Sequence, residues 1–134
     1  MRAVAGIMLA AMLASPAMAA DQFDLVCKGT VKEAVAGRPK PTEVRYRIDI
    51  DAREWCRDAC TETYPIAAVE PGNLVLREHV PERRGDFRSY QTVDRTSGAW
   101  ADYFNDFQGL NGLYFETTGV CTADAFGGFP AKKF

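Results

Sequence analysis

Four cysteines are the residues of this 134-residue chain best suited to chemistry. Cys56 and Cys60 stand four positions apart behind Trp55, whereas Cys27 and Cys121 are far apart. A redox pair favours the spacing Cys-x-x-Cys in a strand–helix setting, and a zinc site needs reduced thiolates or several histidines. The chain has one histidine and the spacing Cys-x-x-x-Cys. These cysteines therefore favour structural disulfides over redox catalysis or metal binding.

Three disulfide pairings are possible, and one of them is the local pair Cys56–Cys60. Residues four apart in an extended strand are ~13 Å apart, whereas a disulfide needs Cα atoms within ~7 Å, so this bond requires a turn. Asp51 and Glu54 have the spacing of a helical capping box. We therefore predict one short, distorted helical turn near residues 52–60.

The local pair leaves Cys27 to bond Cys121. These two residues fall in the first and last candidate strands, which become neighbours if the sheet closes on itself. The bond would close a loop worth ~4.6 kcal/mol in the chain-entropy model. We predict the disulfides Cys27–Cys121 and Cys56–Cys60.

His79 and the pair Asp49 and Asp51 are the remaining candidates for acid–base chemistry. A general base needs a nucleophile and an orienting group, but the sequence has no Gly-x-Ser-x-Gly motif and oxidised cysteines cannot attack. The two aspartates alternate with Arg45 and Arg47, as on the solvated face of a strand. We therefore predict a non-enzymatic protein with no catalytic residue, metal or cofactor.

The start of the chain predicts export. Arg2 precedes an apolar run over residues 4–13, and Ala17-Met18-Ala19 is a small-x-small cleavage pattern. The expected products are a cleaved signal peptide, residues 1–19, and a single mature domain, residues 20–134. Paired cysteines suit an oxidising compartment. We expect a periplasmic or secreted protein.

Composition argues against two classes of partner. Removing the signal peptide removes one basic residue and no acidic one, which leaves 15 basic and 18 acidic residues. Because no basic excess remains, neither nucleic acid nor an anionic lipid surface is an expected partner. The apolar run is shorter than the ~20 residues of a bilayer span, so we predict no membrane span in the mature chain.

Residues 42–51 carry the clearest signal of secondary structure. Charged residues alternate there with the apolar residues Val44, Tyr46, Ile48 and Ile50. A period of two places the apolar side chains on one face of a strand, and one wet face is typical of antiparallel sheets.

Short strand signals recur along the chain with turn residues between them. The candidate strands lie at 23–29, 42–51, 66–69, 74–77, 87–93, 99–104 and 113–121. The intervening turn signals include Glu70-Pro71-Gly72-Asn73, Arg84-Gly85-Asp86, 94–98 and Asn111-Gly112. We predict an all-β fold, a small antiparallel barrel or sandwich of about seven to eight short strands.

Aromatic residues supply candidate binding side chains. Phe126 and Phe129 belong to an aromatic C-terminal tail that either packs over an open end of the barrel or forms a hook for a partner. Trp100 lies in a strand that must turn one face outward. All three are possible binding residues.

The order of landmarks resembles a set of small exported bacterial proteins of unknown function. The residues that carry this likeness are Cys27-Lys28-Gly29, Tyr46-Arg47-Ile48-Asp49, Trp55-Cys56 with Cys60, Val93-Asp94-Arg95-Thr96-Ser97-Gly98, Gly119-Val120-Cys121 and the Phe-Pro near the end. The likeness covers most of the mature chain and implies no activity.

The chain is also similar to the periplasmic inhibitors of C-type lysozymes. These are small barrels with one cysteine in an early strand, another near the end and a Ser-Gly-x-x-Tyr loop. Ser97 and Gly98 match the loop, whereas Ala101 stands at the position of its tyrosine. The likeness implies a role for Ser97 and Gly98 in binding a protein.

The function predicted from the sequence is binding, of either a protein partner or a small apolar ligand. An inhibitor of the lysozyme type is the first alternative, and a hydrolase is the second.

Overall fold

One antiparallel sheet of nine strands contains all the strands among the residues that the computed structural model describes, 21–106 and 112–131. The strands are β1 Gln22–Lys32, β2 Lys40–Asp49, β3 Glu54–Arg57, β4 Tyr64–Pro65, β5 Ala68–Val69, β6 Asn73–His79, β7 Arg88–Asp94, β8 Ala99–Asn105 and β9 Tyr114–Asp124. The predicted all-β class is confirmed. The predicted signal peptide and Asn111 of the last predicted turn lie outside the described residues.

The sheet is curled into a half-barrel. Its strand order is β4-β3-β2-β1-β9-β8-β7-β6-β5, so that the first and last long strands pair and the short strands β4 and β5 lie at the two ends. Only Ile66 and Ala67 separate β4 from β5, and their amides donate to Arg53 O (2.9 Å) and Leu76 O (3.3 Å). The indole of Trp55 donates to Leu76 O (3.0 Å). The two-residue connection and the Trp55 bond therefore join the two ends of the sheet.

The core lies on the concave face of the sheet. Because side chains alternate along a strand, Val44, Tyr46 and Ile48 of β2 point inward, as the apolar alternation predicts. Tyr46 packs edge-on against two tryptophans, with ring centroids 5.8 Å from Trp55 and 6.2 Å from Trp100. The remaining buried apolar residues of the cluster are Leu25, Cys27, Ile66, Leu74, Leu76, Val93 and Cys121.

The predicted helical turn near residues 52–60 is wrong, because part of that segment is strand β3. Asp49, rather than Asp51, caps the turn, accepting a hydrogen bond from the amide of Ala52 (2.9 Å). Arg53 then adopts a left-handed conformation (φ 54°), which ends the turn. The chain continues as β3, which pairs with β2. The capping-box spacing therefore belongs to a hairpin turn.

Both predicted disulfides are present. Cys27 and Cys121 are direct partners across β1 and β9, with their Cα atoms 3.9 Å apart. The Cys56–Cys60 bond lies on a turn in which the amide of Cys60 donates to Arg57 O (2.9 Å), so the required turn exists without a helix. Two disulfides indicate an oxidising compartment outside the cytoplasm.

The segment after β9 lies along the outer face of β1 and β2. Asp24 on β1 accepts hydrogen bonds from the amide of Gly127 (3.0 Å) and from Arg45 Nε (2.7 Å), and Arg47 donates to Gly128 O (2.7 Å). Asp24 is consequently fully buried although it faces away from the core. Across residues 21–106 and 112–131, no helix has the length and apolar character needed to cross a membrane.

Candidate functional site

A cavity of about 890 Å³ opens at the end of the half-barrel where β1 begins and β9 ends. Its apolar wall consists of inner-face side chains from β1, β5, β6 and β7 and of one residue after β2: Phe23, Leu25, Val69, Leu74, Val93 and Ile50. Pockets for small molecules typically enclose roughly 300–1,000 Å³ and are lined mainly by apolar side chains. The size and lining of this cavity suit a small apolar ligand.

The turn between β7 and β8 forms one side of the cavity mouth, and it is held rigidly. The amide of Gly98 donates to Asp94 O (2.9 Å), and Gly98 O accepts from the amide of Cys121 (2.8 Å). Gly98 has φ 76°, and a Cβ there would lie 2.4 Å from Cys121 O. Only glycine fits this contact, so the turn and the Cys27–Cys121 disulfide keep a fixed spacing.

The carboxylate of Asp94 organises the same turn. It accepts hydrogen bonds from the amides of Ser97 (2.7 Å) and Thr96 (2.8 Å), and these bonds lower the pKa of Asp94. The exposed Ser97 hydroxyl accepts a hydrogen bond from the amide of Ala99 (3.2 Å). Asp94 therefore stays ionised at the cavity mouth at neutral pH.

The rim of the cavity is acidic. Asp21, Asp94 and Asp124 line it together with one cation, Arg95. The hydrogen bond from Arg45 (2.7 Å) lowers the pKa of Asp124 and offsets part of its charge. The remaining negative charge favours neutral or cationic groups over anions at the cavity mouth.

The five predicted binding residues are not all brought together. Ser97 and Gly98 line the cavity mouth. Trp100 is 3 % exposed and belongs to the core. Phe126 and Phe129 are half-buried in the segment on the outer face of the sheet, where their rings meet edge-on at 5.2 Å. Of the five predicted binding residues, only Ser97 and Gly98 line the cavity.

The residues considered for acid–base chemistry have structural partners. His79 Nε2 lies 3.0 Å from Asp86 Oδ2, and the imidazole stacks on Phe87 with centroids 4.1 Å apart. Asp49 accepts hydrogen bonds from Ala52 and from Gln22 Nε2 (2.8 Å). Within the described part of the chain, no three His, Cys, Asp or Glu side chains are placed to hold a metal ion.

The apolar wall was missed at the sequence level, although a signal for part of it exists. Ile50 continues the alternation of β2 beyond Ile48, so it points inward and packs against the edge of the core. Val69 lies in a two-residue strand whose position depends on how far the sheet curls. A strand pattern identifies the inner face but does not show where that face opens to solvent.

Comparisons with protein-family models, curated proteins and solved structures found no match to this chain. The resemblances seen in the sequence therefore remain predictions.

Proposed function

We propose that this protein is a non-enzymatic binding protein of the periplasm or extracellular space, and that it holds a small apolar ligand in the cavity at the start of β1. The observation that carries the proposal is the open cavity of about 890 Å³ with its wall of inner-face apolar side chains. The turn at its mouth is preorganised, which lowers the entropy cost of binding.

The cavity favours a small ligand over a protein partner. A protein partner would dock on an exposed surface, whereas the apolar side chains here line a recess whose mouth is polar. Leu25, Leu74 and Val93 also belong to the buried core, so the ligand would extend the packing of the half-barrel. Each buried methylene of the ligand would contribute about 0.8 kcal/mol.

Fluorescence titration with N-phenyl-1-naphthylamine tests this proposal. We expect saturable binding to the wild-type protein and its loss in Ala123→Trp, because Ala123 lines the cavity and a larger side chain would fill it. Ala36→Trp is the matched control, since Ala36 is exposed in the loop between β1 and β2. Equal binding by the two variants, or no saturable binding by the wild type, would refute the proposal.

The acidic rim adds a preference that the same assay can measure. A decyltrimethylammonium ion should displace the probe at a lower concentration than decanoate, because the rim carries three aspartates and one arginine. The difference should shrink at high salt as the charges are screened. Equal displacement by both would refute the charge preference while leaving the proposed cavity in place.

Inhibition of a C-type lysozyme is a second candidate function. Ser97 favours it, since this side chain is exposed on a turn that is fixed by hydrogen bonds at both ends. A lysozyme activity assay with added protein tests it. Loss of activity that is relieved by Ser97→Tyr would support inhibition, and unchanged activity at saturating protein would exclude it.

A further inference from the structure

A β-bulge turns one arginine toward the interior, at the end of the half-barrel away from the cavity. Leu74 of β6 pairs with Val93 of β7, but the register then skips Leu76, so that Arg77 pairs with Gln91. Gln91 is fully buried on the inner face, and its direct partner therefore lies on that face too. Without the bulge, Arg77 would fall on the outer face. Bulges of this kind often re-aim a side chain beside a functional site.

Two arginines from separate parts of the sheet meet at one buried carboxylate. Arg57 Nη1 lies 3.5 Å from Asp102 Oδ2, and Arg77 Nη2 lies 3.7 Å from Asp102 Oδ1. The arginine side chains are 39 % and 44 % exposed, whereas that of Asp102 is 4 % exposed. Gln91 Nε2 donates to the same carboxylate (2.9 Å). The arginines therefore lie between Asp102 and solvent.

Buried polar groups around this carboxylate keep unused hydrogen-bonding capacity among the described residues. Ser89 Oγ can donate, and so can Tyr46 OH, whose oxygen faces the Trp100 indole N–H as an acceptor. Gln91 Oε1 can only accept, and so can Asp102 Oδ1, which has Arg77 Nη2 3.7 Å away. Tyr46, Ser89, Gln91, Trp100 and Asp102 are at most 3 % exposed. Protein interiors rarely leave such groups unpaired, so this cluster of buried polar groups indicates a binding site for a polar ligand.

The electrostatics agree with a close cluster of polar groups. Burial raises the pKa of Tyr46, and the charge of Asp102 raises it further, so the phenol keeps its proton and can donate. Burial also raises the pKa of Asp102, and this is opposed by Gln91, Arg57 and Arg77. We call Tyr46, Arg57, Arg77, Ser89, Gln91, Trp100 and Asp102 the Asp102 site.

We propose that the Asp102 site binds a neutral polyhydroxylated molecule of the sugar class. Hydroxyl groups both donate and accept hydrogen bonds, and the site presents the hydroxyl donors of Tyr46 and Ser89 beside the acceptors Gln91 Oε1 and Asp102 Oδ1. A simple anion could only accept. Charge gives no preference for an anion either, because Arg57 also pairs with Asp58 (3.4 Å) while both arginines face Asp102.

A row of aromatic rings continues the same inner face toward the end of the half-barrel. Phe104 lies two residues beyond Asp102 and stacks with Phe87 (5.4 Å) and Phe115 (5.6 Å). His79 stacks on the far side of Phe87. Sugars combine hydroxyl groups with apolar C–H faces, so polar groups beside aromatic rings suit this class of ligand.

The indole protons give a direct readout, since the chain has two tryptophans. Nitrogen–proton NMR spectra would follow both indoles while glucose, galactose, mannose and N-acetylglucosamine are added in turn. We expect at least one sugar to shift the Trp100 indole resonance saturably, because a hydroxyl bound by Tyr46 OH changes the oxygen that the Trp100 N–H faces. The Trp55 indole is already bonded to Pro65 O and Leu76 O and should not move.

Ser89→Ala separates binding from folding. The Ser89 hydroxyl is buried and unpaired, so its removal should leave the melting temperature unchanged or raised while weakening sugar binding about three- to tenfold. Thr118→Ala, at an exposed position on strand β9, is the control and should leave the affinity unchanged.

Three results would overturn the proposal. The Trp100 indole could respond to none of the four sugars, which would leave the site filled by water alone. It could respond to benzoate instead, which would make the site an anion site. Binding by Ser89→Ala could equal that of the wild type, which would place the sugar elsewhere. None of these three results contradicts ligand binding in the cavity at the opposite end.

Discussion

Trp55 and Trp100 are equally buried but differ in the hydrogen bonding of their indoles. Trp55 Nε1 donates to two carbonyl oxygens, whereas Trp100 Nε1 donates to no carbonyl oxygen of the described residues and faces the Tyr46 hydroxyl. Trp55→Phe should therefore lower the free energy of unfolding by about 1–3 kcal/mol more than Trp100→Phe, because it removes both indole hydrogen bonds to carbonyl oxygens, although Leu76 O keeps the bond from the Ala67 amide. Urea unfolding of both variants measures this. Equal losses would show that the Trp55 bonds do not hold the ends of the sheet together.

Gly119 is required by the close approach of β1 and β9. A Cβ at Gly119 would lie 2.2 Å from Lys28 O and 2.7 Å from the Cα of Gly29, its direct partner. Gly119→Ala should cost about 1–3 kcal/mol through strain in the backbone pairing. Gly72→Ala is the control, with nothing within 4 Å of the added methyl, and should stay within about 0.5 kcal/mol of the wild type. Thermal melts that rank the variants in the opposite order would contradict this.

At the scale of elements, the two disulfides should contribute unequally. Their sequence separations are 94 and 4 residues. In the chain-entropy model, Cys27→Ala with Cys121→Ala should cost about 4.6 kcal/mol, against about 2 kcal/mol for Cys56→Ala with Cys60→Ala. Urea unfolding of the two double variants tests the order. A larger loss from the local pair would show that the closure of β1 on β9 is not the main constraint.

The elements also show what a sequence can reveal and what it cannot. The inner face of β2 was predictable because apolar and charged residues alternate over its length. Strand β3 was not, because the spacing of Asp51 and Glu54 fits a helix start equally well. The deciding features are the Asp49 cap and the left-handed Arg53, which depend on the pairing of β3 with β2.

At the scale of the whole molecule, acid should destabilise the fold. Partners in the folded state lower the pKa of Asp49, Asp86, Asp94 and Asp124 below their ordinary value of 3.8. A lowered pKa adds stability that is present above the ordinary pKa and is lost as pH falls through the folded one. Asp51 and Asp102 have raised pKa values and act in the opposite direction.

The melting temperature should therefore fall between about pH 5 and about pH 3. The fall should be smaller in Asp94→Asn, which keeps an accepting oxygen for the Ser97 and Thr96 amides but cannot titrate. Thermal melts across this range measure both effects. An identical fall in the variant and the wild type would show that Asp94 is not among the groups responsible.

The two ends of the half-barrel could not be predicted from the strand pattern alone. The cavity exists because the sheet curls until Val69 lines the same recess as Phe23 and Ile50. The Asp102 site depends on the bulge at Leu76, which shifts the register by one residue. A signal for the second site was visible, since Asp102 occupies an inward position between Trp100 and Phe104 on β8.

Methyl NMR spectra recorded while decyltrimethylammonium is added test the central claim, ligand binding in the cavity, most directly. We expect the methyl resonances of Leu25, Val69, Leu74 and Val93 to shift together and saturate, since these side chains line the cavity. The methyls of Val120, which is 54 % exposed, should stay in place. Shifts confined to Val120 and other outer-face methyls, or no saturable shift at all, would contradict the claim.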